Sequence, residues 1–163
     1  MLDRKELRGR LERHGGDILS SRGMTCERGF LQHGNTSVFE HSVRVTVACL
    51  VVAEALRLAV DERALVRGAL LHDYFLYDWH DRSTSRPHHA TRHGAYALEN
   101  AERDFELGVV ERDMIASHMF PLAPMPRHRE SWVLTLADKG VSAGETIAGL
   151  VRRVRGKGTR GSA

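Results

Sequence analysis

Apolar side chains recur along this chain at intervals of three and four residues, the spacing of one helix face, and not at the alternating positions of a half-buried strand. Leu2, Leu7, Leu11, Ile18 and Leu19 outline an N-terminal helix, which the pair Gly15-Gly16 is expected to break or end. From Arg22 to Asn35 the glycines Gly23, Gly29 and Gly34 interrupt any periodicity, so this segment reads as a loop leading to Thr36-Ser37, a helix cap. Residues 38–58 predict one long, largely buried helix. Asp61 offers the next cap, and Ala64, Leu65, Ala69, Leu70 and Leu71 carry a second helix into the pair His72-Asp73. Residues 78–92 turn polar, with Ser83, Thr84, Ser85 and Pro87 among charges and histidines, and predict a loop of a length that is often functional. Helical spacing returns over 94–105, 109–119 and 129–141, with Pro121, Pro124 and Pro126 punctuating the last gap. A weaker helix over 143–154 is diluted by Gly144 and Gly149. The pattern predicts an all-α fold: a single compact bundle of about six or seven helices spanning residues 1–155, with no internal repeat.

Composition narrows this picture. At 163 residues and 42% hydrophobic, the chain can bury one real core. Its greasiest stretch, residues 43–58, is interrupted by Arg44, Thr46, Glu54 and Arg57, so no segment is expected to span a membrane. The opening residues Met1 to Glu6 mix both charges and lack the apolar centre of a signal peptide, which places the expectation in the cytoplasm. Two cysteines, Cys26 and Cys49, suggest neither a disulfide framework nor a thiolate metal site and read as buried or semi-buried thiols. The formal charge of +3 owes much to Arg152, Arg153, Arg155, Lys157 and Arg160. The tail 156–163 is expected to be a disordered, solvated terminus, so nucleic acid is not an expected partner.

Ten histidines are the unusual item. Among the groups able to bind a metal or move a proton, His41, His72, Asp73, His93, His118 and Asp138 fall at or near predicted helices. The adjacent pair His72-Asp73 is the most informative, because the apolar run Ala69-Leu70-Leu71 would sink it into the core, where an unpaired carboxylate is costly and a metal would relieve the cost. Imidazole and carboxylate together suit manganese, iron, zinc or nickel better than calcium. His80 and His88 read as solvent-exposed loop residues, and His14, His33 and His128 as surface residues. No GxSxG elbow, HExxH helix or GxGxxG fingerprint is present.

The order His41, then His72-Asp73, then Asp138 resembles the H…HD…D signature of the HD superfamily of metal-dependent phosphohydrolases, over roughly residues 34–138. The phrases Glu40-His41-Ser42, Gly68-Ala69-Leu70-Leu71-His72-Asp73 and Leu136-Ala137-Asp138-Lys139 carry the resemblance. His93 and His118 are similar to the extra histidines of the subset with a binuclear centre. The resemblance implies a bundle of the HD-domain type in which two divalent ions bind. One ion would lie on His41, His72, Asp73 and Asp138 and the other on His93 and His118, with the Asp73 carboxylate bridging. It departs from relatives that cleave cyclic dinucleotides, which carry two adjacent histidines where this chain has His118-Met119, and this implies a weaker or wetter second site.

In terms of activity, the resemblance implies a phosphomonoesterase or phosphodiesterase that uses a metal-activated water on a nucleotide or another small phosphorylated metabolite. Asp73 would act at the centre, and Lys139 and Arg44, beside or one turn from ligands, would meet phosphate oxygens if they face the cleft. His89, four residues before His93, is a candidate contact. Tyr74, Phe75, Tyr77 and Trp79 read first as core, as does Trp132; alternatively Tyr74 and Trp79 wall the pocket and stack on a base. The competing reading is a nucleotide-binding regulatory protein that keeps the pocket without turnover.

Overall fold

The computed structural model describes residues 3–158. Seven helices and one small hairpin make up the described residues: α1 (Arg4–Leu19), α2 (Arg22–Glu27), β1 (Leu31–His33), β2 (Thr36–Ser37), α3 (Val38–Ala55), α4 (Glu62–Leu71), α5 (His89–Asp104), α6 (Val109–Ser117) and α7 (Arg129–Gly158). The all-α expectation holds. No helix among the described residues is long and apolar enough to cross a membrane.

Side-chain caps start four of these helices where the first backbone N–H groups would otherwise lack acceptors. Asp3 accepts from the Glu6 N–H at 2.7 Å, Ser21 from Met24 at 3.2 Å and Asp61 from Ala64 at 3.0 Å. Ser37 and Glu40 form a reciprocal capping box at the head of α3: the Ser37 hydroxyl accepts from the Glu40 N–H at 3.2 Å, and the Glu40 carboxylate accepts from the Ser37 N–H at 3.0 Å. This fixes the start of the helix that carries His41.

The core runs between α3 and α4, which pack on one another, with α7 against α3, α1 against α4, and α6 between α4 and α7. Leu50, Leu65, Leu70, Leu71, Ile115 and Leu134 are completely buried within it. Each contributes about 1.5–3 kcal/mol of apolar transfer.

Four sequence expectations need correction. First, α1 runs straight through Gly15-Gly16, because Gly15 is where α1 touches α4 and a Cβ there would collide with Leu70. Second, the expected loop 22–35 contains α2 and half of the hairpin, in which β1 and β2 pair antiparallel around Gly34 at φ +62°. Two strands of three and two residues are too short to show alternation. Third, the two helices expected over 129–141 and 143–154 are one 30-residue helix, α7. Its Gly149 lies beside Gly34 of the hairpin turn. Fourth, Cys26 is exposed, whereas Cys49 is buried. Of the tail expected to be disordered, residues 156–158 continue α7, and 159–163 lie outside the described residues.

Leu70 meets both α1 and the core, so Leu70→Ala is expected to destabilise the fold by about 2–5 kcal/mol in urea unfolding, with the helical spectrum of the native state retained.

Candidate metal centre

The centre is assembled where α4 ends. His72 is the C-cap of α4, and the chain then turns tightly, with the Tyr74 N–H donating to the Leu71 carbonyl at 3.1 Å and the Phe75 N–H to the Asp73 carbonyl at 2.8 Å. Two buried side chains anchor this turn: the Asn100 amide donates to the carbonyls of Tyr74 and Phe75 at 3.1 and 2.9 Å, and Glu27 accepts from the Leu76 N–H at 3.0 Å. Leaving the helix here lets two adjacent residues face one spot.

Around that spot the structure brings together all six residues expected as ligands, from α3 (His41), the end of α4 (His72, Asp73), α5 (His93), the C-cap of α6 (His118) and α7 (Asp138). His41, His72, Asp73 and His118 are essentially inaccessible, and His93 and Asp138 are buried. His41 Nε2 lies 3.1 Å from Asp138 Oδ1 and 3.7 Å from Asp73 Oδ2, and His72 Nε2 lies 3.4 Å from Asp73 Oδ2. On the other side of the carboxylate, Asp73 Oδ1 lies 3.2 Å from His93 Nε2 and 3.6 Å from His118 Nε2. Gly94 allows this second approach, since a Cβ there would sit 3.0 Å from the Ile115 carbonyl and 3.1 Å from the His118 ring.

The imidazoles share one orientation. His72, His93 and His118 each set Nδ1 against a backbone carbonyl three or four residues back, Ala69 at 2.8 Å, His89 at 3.0 Å and Ile115 at 2.9 Å. A carbonyl only accepts, so Nδ1 carries a hydrogen and Nε2 is the atom turned to the centre. His41 does the same with a carboxylate, Nδ1 donating to Glu145 Oε2 at 3.0 Å, and Arg44 in turn donates to Glu145 Oε1 at 3.0 Å. Outer partners of this kind are what orient histidine ligands at metal sites.

Electrostatics point the same way. Burial would raise the Asp73 and Asp138 carboxyls, but the surrounding histidines, His72 and His93 for Asp73 and His41 and His72 for Asp138, hold both well below the usual carboxylate range. Burial works against a proton on His41, yet hydrogen bonds to Asp138 and Glu145 outweigh it and push the ring up to about 10. Burial, with His72 nearby, pushes His118 down to about 4. The pocket calls for positive charge, and at His118 a proton is not what supplies it.

His72 Nε2 and Asp73 Oδ1 are buried without a hydrogen-bond partner among the described residues. Orphaned atoms like these, aimed at one another's neighbourhood, fit coordination of a cation. Two groups have ligand atoms close enough to hold one: His41, His72 and Asp73, and Asp73, His93 and His118, within 4.8 Å in each set. Asp73 belongs to both. Nitrogen and oxygen donors in this mixture fit divalent ions of the manganese, iron, zinc and nickel type.

A cavity of about 400 Å³ opens onto the centre, lined by Asp73, Asp138, Trp79, His89, Phe120 and Lys139, among others. Trp79 and His89 stack in parallel at 5.0 Å, and the Tyr77 hydroxyl lies 2.7 Å from His89 Nδ1. Burial, with His93 beside it, pushes His89 down to about 4, so its ring is neutral. Lys139 reaches the rim, donating to the Phe120 carbonyl at 2.8 Å.

Two expected contacts lie elsewhere. Arg44 faces away from the cavity, behind His41, where it binds Glu145 and Thr36. Tyr74 lines a separate cavity, and its hydroxyl donates to Asp104 at 3.0 Å. Phe75 and Tyr77 are core, whereas Trp132 is 39% exposed. The sequence reading missed Glu145, which lies seven residues after Asp138 on the same face of α7, a spacing that could have revealed it. It also missed Gln32, whose amide donates to Asp73 Oδ2 at 2.5 Å from within the expected loop, where nothing in the pattern marks it.

The HD domain family model matches residues 38–140, more than half of the chain, so the protein belongs to the HD domain family. The match spans all six buried residues of the centre. No curated protein and no solved structure matches the chain.

Because Glu145 sets the ring of His41, Glu145→Ala is expected to weaken divalent-metal affinity by about 10–100-fold. Competition with a fluorescent chelator measures this, and an unchanged affinity would show the His41 ring to be held by its packing alone.

Proposed function

We propose that the protein is a metal-dependent phosphohydrolase whose substrate is a nucleotide or a similarly small phosphorylated metabolite. The observation that carries this reading is the Asp73 carboxylate shared between two histidine groups at the foot of one cavity, in a chain of the HD domain family. His41, His72, Asp73 and Asp138 would hold one divalent ion, and Asp73, His93 and His118 a second. Ions held there would lower the pKa of a water and offset charge developing on a phosphoryl oxygen.

The chain's own residues account for binding and orientation. Lys139 spends one N–H on the Phe120 carbonyl, which leaves its ammonium at the rim with further donors for a phosphate oxygen. The Trp79–His89 stack offers a flat wall for a base or another planar group, and a cavity of about 400 Å³ falls in the range of small-molecule sites. Hydrolysis adds the oxygen of water to phosphorus and breaks the bond to the leaving oxygen, which departs with a proton. The buried imidazoles and carboxylates keep the reacting end of the cavity polar, while Phe120 and Trp79 add apolar lining.

The test is release of phosphate or of a nucleoside from mono-, di- and cyclic nucleotides, with manganese or iron added. Turnover is expected with at least one of them. Asp73→Ala should abolish it, with a loss greater than the ~100-fold typical of an outer-shell partner. Lys139→Ala should raise KM by roughly tenfold, the loss of one charged hydrogen bond, and change kcat less. No turnover with any substrate and either ion would contradict the proposal.

A further inference from the structure

Gln32 is the middle residue of β1, is 7% exposed and lines the metal cavity. Its Nε2 donates to Asp73 Oδ2 at 2.5 Å, the one hydrogen bond of this side chain among the described residues, while Oε1 is buried without a partner. A methionine or leucine would fill the same space with no orphaned carbonyl, so packing alone does not call for an amide here. The amide makes sense at its other end. Turned over, it would set Oε1 against Oδ2, acceptor on acceptor, so the bond also fixes which way the amide faces.

The two oxygens of Asp73 serve different partners. Oδ2 faces His41 and His72 at 3.7 and 3.4 Å, and Oδ1 faces His93 and His118 at 3.2 and 3.6 Å. Serving both at once requires the carboxylate plane to hold one angle, and the terminal torsion of an aspartate is soft. Among the described residues, Gln32 gives Oδ2 its hydrogen bond and Oδ1 has none.

We propose that Gln32 is a positioning residue for the shared carboxylate: its N–H holds Oδ2 so that Oδ1 stays turned to His93 and His118. This inference rests on the two-ion reading above. The two sides then depend on Gln32 unequally. If Asp73 swings, the first side keeps His41, His72 and Asp138, whereas the second is left with two imidazoles.

The test uses the full chain loaded with manganese, read by electron paramagnetic resonance and metal content. Wild-type protein should hold two ions and give the spectrum of a spin-coupled pair. Gln32→Met, similar in size but without a donor, should keep one ion and an uncoupled spectrum, with affinity for the second lowered about 10–100-fold. Gln32→Asn keeps an amide but falls short of Oδ2, so it should lose the coupled pair as well. Leu31→Ala, at the neighbouring 47%-exposed position of the ribbon, should retain it. A coupled pair at wild-type affinity in either folded Gln32 variant overturns the role of Gln32 and leaves the two-ion reading intact. A wild-type protein with no coupled pair instead removes the two-ion reading and this inference with it.

Discussion

Two aspartates are buried in one small volume with four imidazoles whose Nδ1 atoms are already committed to acceptors, and the rest of the structure is arranged around that constraint. His41 is held as a cation between Asp138 and Glu145, but His72 Nε2 and Asp73 Oδ1 remain buried acceptors with no donor among the described residues. In a low-dielectric interior such an arrangement is strongly unfavourable unless cations enter it. Coordination would satisfy the orphaned nitrogen and oxygen together.

The fold meets the geometric side of this demand with specific devices. Helix α4 stops at Leu71, and the turn beyond it is fastened by Asn100 and Glu27, which brings His72 and Asp73 to the same place. Gly94 lets α5 close on α6 so that His93 and His118 meet, 2.9 Å apart at their Nε2 atoms. The hairpin, held against α3 and α7, delivers Gln32 to the far oxygen of Asp73. The polar segment 78–88 closes the cavity on one side, pinned by the Tyr96 hydroxyl on the Pro87 carbonyl at 2.8 Å and by Arg86 over the Tyr96 ring.

Much of this was legible in the sequence because the informative residues sit in strongly periodic segments. Apolar spacing located α3, α4, α6 and the first part of α7, and the caps Ser37 and Asp61 marked two starts correctly. The six buried ligand candidates could be picked out as well, because their residue types and order resemble the signature of the HD superfamily, with His72-Asp73 marked further by the apolar run that precedes it. What failed was of another kind. Gly15-Gly16 and Gly149 looked like helix breakers, yet the helices run through them, and Gly15 serves a close approach to α4 that sequence spacing does not encode. Arg44 lies one turn from His41 and Tyr74 directly follows Asp73, but neighbouring positions on a helix or turn face different ways, and neither side chain lines the cavity. Gln32 and Glu145 contact Asp73 and His41, which lie far away along the chain, and such contacts exist only after folding.

The claim underlying all of this is that Asp73 is shared by two cations. Anomalous X-ray scattering from crystals grown with manganese tests it directly. The expected result is a pair of peaks flanking the Asp73 carboxylate, one beside His41 and His72 and the other beside His93 and His118. Crystals with no anomalous peak in contact with Asp73 would contradict the account.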